Sequence, residues 1–269
     1  MKILSIDSSS AALGIAMSDE NTMLAEFTQN KALTHSEKLM PLVEIMMNNI
    51  EEDIDTVDAM ACTIGPGSFT GIRIGVATAN AFAMAKNIPI IGISSLEGLS
   101  YNFRHSAFSI VSTMYAQRDD YYRGIYRYND AELEILETED AISFDEILDE
   151  IKEMIESGQK VMLVGEMVDK MKLRISEENT KNPEKQQRID FSIKMMREHK
   201  LKFADKNLNY LRASNLCEIA MKILGSGKTE NLPRYVEPVY IRKPQAEVQY
   251  EEKMMKQAKN KIEAGKNGK

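Results

Sequence analysis

The first hundred residues show two spacings of apolar residues, which predict strands and helices in turn. Short apolar runs rich in β-branched residues predict strands, and apolar residues that recur every three or four positions predict amphipathic helices. The predicted strands cover residues 2–7, 12–19, 23–29, 57–65 and 88–94, and the predicted helices cover residues 36–50 and 70–86. A strand meander followed by strands with helical crossovers predicts a mixed sheet with helices on its faces.

The rest of the chain predicts a second, looser set of elements. Two apolar runs flank Gln117–Asp120 and predict a hairpin, which a short strand over residues 134–138 extends. The later predictions are a helix over 143–158, a buried strand over 160–166, a charged stretch over 169–200, a helix over 207–224 and an extended, proline-bearing segment over 232–247.

Hydroxyl residues mark where several helices begin. Thr34 and Glu37 have the spacing of a capping box, and so do Ser143 and Glu146. Ser68 or Thr70 is predicted to cap the helix after Gly67. Pro41 follows closely after the first box and is expected to bend that helix near Glu37.

Composition and charge argue against two classes of protein, nucleic-acid binders and membrane-spanning proteins. The apolar share is 43%, the charged share is 28% and the net charge is −7. An acidic chain is not a nucleic-acid binder by bulk electrostatics, although residues 242–269 carry eight basic and four acidic side chains. Cys62 and Cys217 are predicted to be buried free thiols. No apolar run reaches the ~18–20 residues of a membrane helix, and the start lacks a signal-peptide core, so a cytoplasmic protein is predicted.

Three glycine- or serine-rich turns are candidate nucleotide or phosphate loops. A carboxylate at a strand end followed by hydroxyls can hold a hydrated cation, and a helix that begins after glycines attracts anions. An ordinary polar turn is the more common explanation of the first of them. The candidate loop residues are Asp7, Ser8, Ser9, Gly65, Gly67 and Gly165.

The helix predicted over 70–86 has a face of small residues. Gly71, Gly75 and Ala79 are four apart, so they share one side of a helix, on which another element can approach closely. The segment lacks the lysine of a phosphate-binding loop and the spacing of a dinucleotide fold, so close packing explains it better.

Catalytic patterns are scarce. The three histidines, His35, His105 and His199, are not at metal-ligand spacing. The sequence has no HExxH, CxxC or GxSxG motif.

Four stretches resemble the TsaB (YeaZ) family. They are IDSS near the start, THSEKLMP, GPGSFTGIRIG and the late PVYIRKPQAE, and the resemblance is strongest over residues 1–105 and looser over 207–247. That family belongs to the bacterial machinery that installs threonylcarbamoyl on the adenosine next to the anticodon of tRNA. The resemblance implies an α/β actin-like ATPase (ASKHA) fold of two ribonuclease-H-like lobes, with mixed β-sheets flanked by helices.

The resemblance also implies a division of the chain. Residues 1–104 with 207–247 would form the N-terminal lobe, residues 105–206 would form a second, reduced lobe, and residues 248–269 would be a polar, disordered tail.

The resemblance further implies a non-catalytic subunit. The catalytic paralogue TsaD binds metal through an HxxxH pattern, and those positions fall here on Ser95 and Leu99, which cannot replace imidazoles. We therefore expect no catalytic or metal-binding residues, and a role in binding and activating TsaD. The expected interface residues lie in helices 36–50 and 70–86 and are Leu39, Leu42, Val43, Met46, Gly71, Ile72, Gly75 and Ala79.

Further partners follow from the same resemblance. They are a TsaE-type ATPase in a larger complex, a second copy of the chain when it is alone, and tRNA indirectly, with no membrane. No cofactor is firmly expected, and ATP or ADP with Mg stays an open alternative, at low affinity or at the partner interface. Two other functions stay open at this point: a stand-alone actin-like ATPase or kinase, suggested by Asp7 and the glycine loops, and a metal-dependent (glyco)peptidase homologue.

Overall fold

A computed structural model describes residues 1–31, 34–130, 132–176, 182–226 and 232–242. Within these ranges the chain forms two five-stranded sheets and helices that cover them. The strands are β1 Ile3–Asp7, β2 Ala12–Ser18, β3 Met23–Asn30, β4 Ala59–Gly65, β5 Ile90–Ser94, β6 Ser109–Gln117, β7 Asp120–Asn129, β8 Glu132–Ser143, β9 Val161–Gly165 and β10 Leu201–Phe203. The α-helices are α1 His35–Asn49, α2 Phe69–Lys86, α3 Ser95–Ser100, α4 Phe144–Glu156, α5 Glu166–Ser176, α6 Pro183–Arg197 and α7 Ala213–Gly225.

The first sheet has the strand order β3-β2-β1-β4-β5. Strands β1, β2 and β3 form an antiparallel meander, while β4 runs parallel to β1 and β5 runs parallel to β4. Both parallel strands are reached through a helix, because a parallel connection needs a crossover. The predicted meander with helical crossovers is confirmed.

The second sheet repeats this plan with the order β10-β9-β6-β7-β8. Its first three strands are again antiparallel neighbours, and β9 and β10 are again added in parallel on the other side of the first strand. Two sheets of one topology are what the predicted pair of ribonuclease-H-like lobes requires, so the predicted fold class is confirmed. Strand β10 was not predicted, since three residues are too few to show an apolar period.

The helices divide the apolar core into three layers. Helices α1 and α2 cover one face of the first sheet, where Leu4 and Ile6 of β1 are buried. Helices α3 and α7 lie on the opposite face and share a core with residues of the second sheet, including Ile110. The far face of the second sheet is covered by α4, α5 and α6.

The last helix begins later than its apolar pattern predicts. The prediction placed it over 207–224, but α7 spans Ala213–Gly225, and residues 206–208 form a 3₁₀ turn. Tertiary contacts hold the intervening chain out of the helix: the Asn102 side-chain amide donates to the carbonyl oxygens of Leu208 (3.0 Å) and Tyr210 (2.9 Å). Strand β8 is also longer than the predicted 134–138.

Residues 232–239 run along the first sheet without regular structure. The Ile90 amide donates to the Pro233 carbonyl oxygen (2.9 Å), and the Val239 amide donates to that of Ile64 (2.7 Å). By their contacts, residues 1–239 form one compact unit. The proposed division at residues 104 and 207 stays a prediction, and the predicted tail over 248–269 lies outside the described residues.

Candidate functional site

The turn between β1 and β2 is the meeting point of three elements. The Ser68 amide donates to the Ser9 carbonyl oxygen (2.7 Å), and the Ser8 hydroxyl donates to the Gly71 carbonyl oxygen (2.8 Å). The Ser68 hydroxyl accepts from the Gly71 amide (3.2 Å), so Ser68 is the predicted cap of α2. The N-terminal end of α2 therefore rests on the chain's own turn.

The glycines of α2 are explained by this contact. A Cβ atom on Gly71 would lie 2.0 Å from the Ser8 carbonyl oxygen, and one on Gly75 would lie 2.3 Å from the Ser8 hydroxyl oxygen. A Cβ atom on Gly67 would lie 2.2 Å from the Ser9 carbonyl oxygen, at a φ of +152°. Real Cβ atoms do not approach oxygen this closely, so the small residues make room for backbone.

Asp7 is fully buried at the end of β1. Its Oδ1 accepts from the Ser9 amide (3.0 Å), the Ser9 hydroxyl (2.7 Å) and the Thr63 hydroxyl (2.9 Å). Its Oδ2 is buried without a hydrogen-bond partner among the described residues. Burial raises the pKa of this carboxyl above its usual range, although the hydrogen bonds from Ser9 and Thr63 oppose the rise. Asp7 ties the turn to β4.

The role of the predicted phosphate loop at Gly65–Gly67 stays a prediction, and the chain's own turn packs against part of it. The space beside Gly67 is filled by the Ser9 carbonyl oxygen, and that oxygen already accepts from the Ser68 amide at the start of α2. A phosphate oxygen there would face a carbonyl oxygen rather than a free amide.

Gly165 lies instead in a cleft of about 240 Å³. The side chain of Asn209 pairs with the Gly165 amide (2.8 Å) and carbonyl oxygen (3.2 Å). Glu166 and Asp169 line the cleft, and no lysine or arginine is among the lining residues in the described part of the chain. The negative charges of Glu166 and Asp169 would repel the phosphates of a nucleotide in this cleft. Binding of ATP or ADP at a partner interface is a separate prediction and stays one.

Helix α1 begins differently from its predicted capping box. Thr34 is the N-cap residue, but its side chain makes no capping hydrogen bond, so the predicted Thr34–Glu37 box is wrong. The imidazole Nε2 of His35 lies 2.8 Å from the Ser10 carbonyl oxygen and anchors the first turn instead. The second predicted box, between Ser143 and Glu146, is present in full.

The residues predicted to form the interface lie mostly inside this chain. Seven of the eight are buried against the first sheet and Leu42 is half-buried, because a helix that covers a sheet turns its apolar stripe toward that sheet. Their role at an interface stays a prediction. The buried seven are Leu39, Val43, Met46, Gly71, Ile72, Gly75 and Ala79.

The opposite sides of the same helices form an exposed surface, which we name the α1–α2 outer face. Large apolar side chains stand in it: Met40 is 49% exposed, Ile45 48% and Met84 65%. Small residues at a spacing of four extend along the exposed side of α2. A large side chain in water beside a ridge of small ones is typical of a helix-packing surface. The outer face comprises Met40, Glu44, Ile45, Thr70, Arg73, Ala77, Ala81, Met84 and Ala85.

The positions that the resemblance assigns to the metal ligands of the paralogue, Ser95 and Leu99, lie in α3. Ser95 is 0% exposed and Leu99 is 3% exposed, and the Ser95 hydroxyl has no hydrogen-bond partner within the described ranges. Among the residues that the structure describes, no three histidine, cysteine, aspartate or glutamate side chains cluster as metal ligands would.

The carboxyl groups of Glu97 in α3 and Glu139 in β8 interact electrostatically, and sequence reasoning missed this pair. Glu139 accepts hydrogen bonds from the Ser94 hydroxyl and from the Tyr126 hydroxyl (2.6 Å). Burial first, and the charge of Glu139 second, raise the pKa of Glu97 to about 7. The pair lies 42 positions apart in the sequence, so no local pattern could indicate it.

This pair predicts a pH dependence of stability. Because the folded-state pKa of Glu97 is about 7, against an ordinary value of 4.5, its stabilising effect is complete below pH 4.5 and is lost as pH rises through 7. We expect Glu97 to contribute ~2 kcal/mol more to the free energy of unfolding at about pH 5.5 than at about pH 8. Urea unfolding of Glu97→Gln is expected to show a pH dependence smaller by this amount, whereas Glu153→Gln, at an exposed position of α4, keeps the wild-type profile. An unchanged pH profile in Glu97→Gln contradicts the assignment.

None of the helices in the described ranges is both long enough and apolar enough to cross a membrane.

Comparisons with known proteins agree with the motifs. A family model described as TsaD, tRNA N6-adenosine threonylcarbamoyltransferase, matches residues 22–250. The tRNA threonylcarbamoyladenosine biosynthesis protein TsaB of Bacillus subtilis is 36% identical over 153 residues, which are 57% of this chain and 67% of that protein. TsaB of Escherichia coli is 33% identical over 96 residues, which are 36% of this chain and 41% of that protein.

A solved structure gives the fold independently. A Pseudomonas aeruginosa protein similar to the peptidase YeaZ superposes with a TM-score of 0.68 at 19% identity, and the match covers 90% of this chain and 99% of that one. Likeness at this identity concerns the fold alone, whereas TsaB of Bacillus subtilis is 36% identical over two thirds of its own length. The chain therefore belongs to the TsaB (YeaZ) family.

Proposed function

We propose that this chain is a non-catalytic subunit that binds and activates a TsaD protein for transfer of a threonylcarbamoyl group to the adenosine next to the anticodon in tRNA. The observation that carries the proposal is the α1–α2 outer face, which leaves Met40, Ile45 and Met84 in water on a family member. The metal-ligand positions of the paralogue, Ser95 and Leu99, are buried in the core and offer no imidazole. The stand-alone ATPase and the peptidase are not favoured by the relatives.

The chemistry of the site supports docking rather than catalysis. The spaces beside the candidate phosphate-loop residues Gly65, Gly67 and Gly165 are occupied by the carbonyl oxygens of Val239, Ser9 and Thr113, in that order. A ridge of alanines lets the backbone of a partner helix come close, and flanking methionines adapt to an uneven surface. The outer face is thus suited to a pair of helices from a partner of the same fold.

Several finer features belong to the same proposal. A TsaE-type ATPase joins the complex, and a second copy of this chain takes the place of TsaD when the chain is alone. Nucleotide, if bound, sits at the interface with the partner. The chain contacts tRNA only through the complex, in keeping with its net charge of −7.

Reconstitution with the TsaD protein of the same organism tests the proposal. We expect a stable complex in size-exclusion chromatography, and modification of tRNA by TsaD, with a threonylcarbamoyl donor present, that needs this chain in stoichiometric amount. The chain alone is expected to modify no tRNA. A TsaD that works at full rate without this chain, or that never binds it, contradicts the proposal.

A further inference from the structure

The two helices of the outer face are joined beneath the surface by one short turn. Residues 7–10 hold α2 through Ser8 and Ser9, as the bonds to Gly71 and Ser68 show. The same turn holds α1 through the Ser10 carbonyl oxygen, which lies 2.8 Å from the His35 Nε2. The turn is therefore the shared support of the N-terminal ends of both helices.

The hydrogen bond to Ser10 fixes the state of the imidazole. A carbonyl oxygen only accepts, so Nε2 of His35 carries the proton and donates. The other ring nitrogen, Nδ1, is buried without a partner among the described residues. The Thr34 side chain makes no cap, and the His35 side chain is thus the side-chain anchor observed at the start of α1.

The turn itself cannot shift easily. Asp7 Oδ1 accepts three hydrogen bonds from Ser9 and Thr63, which fasten the turn to β1 and β4. Gly71 and Gly75 pack directly on the oxygens of Ser8, so α2 cannot move closer to the turn. Because the turn is fixed to β1, β4 and α2, the contact between His35 and Ser10 sets the position of the start of α1 relative to α2.

We propose that residues 7–10 set the spacing of α1 and α2 on the outer face, with His35 and Ser8 as positioning residues for partner binding. The part that concerns binding rests on the proposed function. Neither residue belongs to the outer face, so each acts through the helix that it holds. Because a docked helix pair must match both helices at once, a loose α1 weakens binding even when the surface residues are unchanged.

Amide variants of His35 separate this role from a general effect on folding. The side-chain amide of His35→Gln reaches about as far as Nε2 and can donate to Ser10, whereas the amide of His35→Asn reaches only as far as Nδ1. We expect His35→Gln to bind TsaD like the wild type in calorimetry, and His35→Asn and His35→Ala to bind roughly tenfold more weakly, as for one lost hydrogen bond. Ser8→Ala, which loses the bond to Gly71, is expected to weaken binding in the same direction.

Spin labels provide a readout that does not depend on a partner. Labels at Lys38→Cys and Thr70→Cys, both exposed, report the distance between the helix starts, while Cys62 and Cys217 stay buried. We expect a narrow distance distribution in the wild type and His35→Gln, and a broader or shifted one in His35→Asn.

Equal distributions in His35→Gln and His35→Asn, or failure of His35→Gln to fold, overturn the positioning role, whatever His35→Ala does. If the wild-type chain fails to bind TsaD, the proposed function fails, and the label distances still decide whether the turn sets the spacing of the helices.

Discussion

Replacing Gly71 by alanine is expected to destabilise the chain by about 3 kcal/mol, at the upper end of the cost of overpacking. The added Cβ would lie 2.0 Å from the Ser8 carbonyl oxygen. That oxygen belongs to the backbone of a turn fastened by Asp7, so neither partner can move aside cheaply. The higher helix propensity of alanine, worth ~1 kcal/mol, offsets only part of the strain. Urea unfolding followed by circular dichroism measures the change.

A glycine in open surroundings supplies the control. A Cβ on Gly225, the last residue of α7, would meet nothing within 4 Å, and Gly225→Ala is expected to change the free energy of unfolding by less than ~1 kcal/mol. Gly71→Ala with the stability of the wild type would mean that the turn is not packed on α2 as described.

The sequence predicts the first sheet well because its signals are local. Each strand from β1 to β5 is a short apolar run, and each of the two long helices has a stripe at a spacing of three and four. The later elements depend more on tertiary contacts. Residues 207–212 have a helical pattern, yet Asn102 and Gly165 bind the backbone and side chains of this stretch and hold it out of α7.

The glycine spacing of α2 predicts close packing on that side of the helix. In the structure the chain's own turn at Ser8 packs there, while a role of these residues at a partner interface stays a prediction. A stripe of apolar residues shows that a helix has a buried side without showing against what it is buried. The contact between His35 and Ser10 joins residues 25 positions apart, so no local pattern indicates it. The capping-box pattern of Thr34 and Glu37 predicted a different hydrogen bond at the start of α1.

Helix α2 has a buried side and an exposed side, and both sides carry small residues. Gly71, Gly75 and Ala79 face the sheet, while Ala77 and Ala81 face water. Small residues on the inner side bring the helix close to its own turn, and small residues on the outer side leave room for another helix. Under the proposed function, we expect substitutions on the inner side to change stability and substitutions on the outer side to change association.

Replacing Ala81 by arginine is expected to abolish binding to TsaD and to leave folding intact. Ala81 is exposed in the middle of the α2 ridge, so the new side chain meets water in the free chain. In the complex the long charged side chain would stand where a partner helix must come close, and it would have to be desolvated or displaced. We expect affinity to fall by at least about a hundredfold, equal to ~2.7 kcal/mol, with a melting temperature within about 2 °C of the wild type.

An arginine elsewhere on the surface distinguishes a local effect from a change of net charge. Ala107 is exposed in the loop before β6 and belongs to neither helix of the outer face, and Ala107→Arg adds the same charge. Ala107→Arg is expected to bind TsaD and to support tRNA modification like the wild type. Wild-type affinity in Ala81→Arg would move the docking surface away from α2, whereas weak binding by both arginine variants would point to long-range electrostatics. Because Gly71→Ala disturbs the inner side and Ala81→Arg the outer side of one helix, the loss of stability in the first and of binding in the second would assign each side its own role.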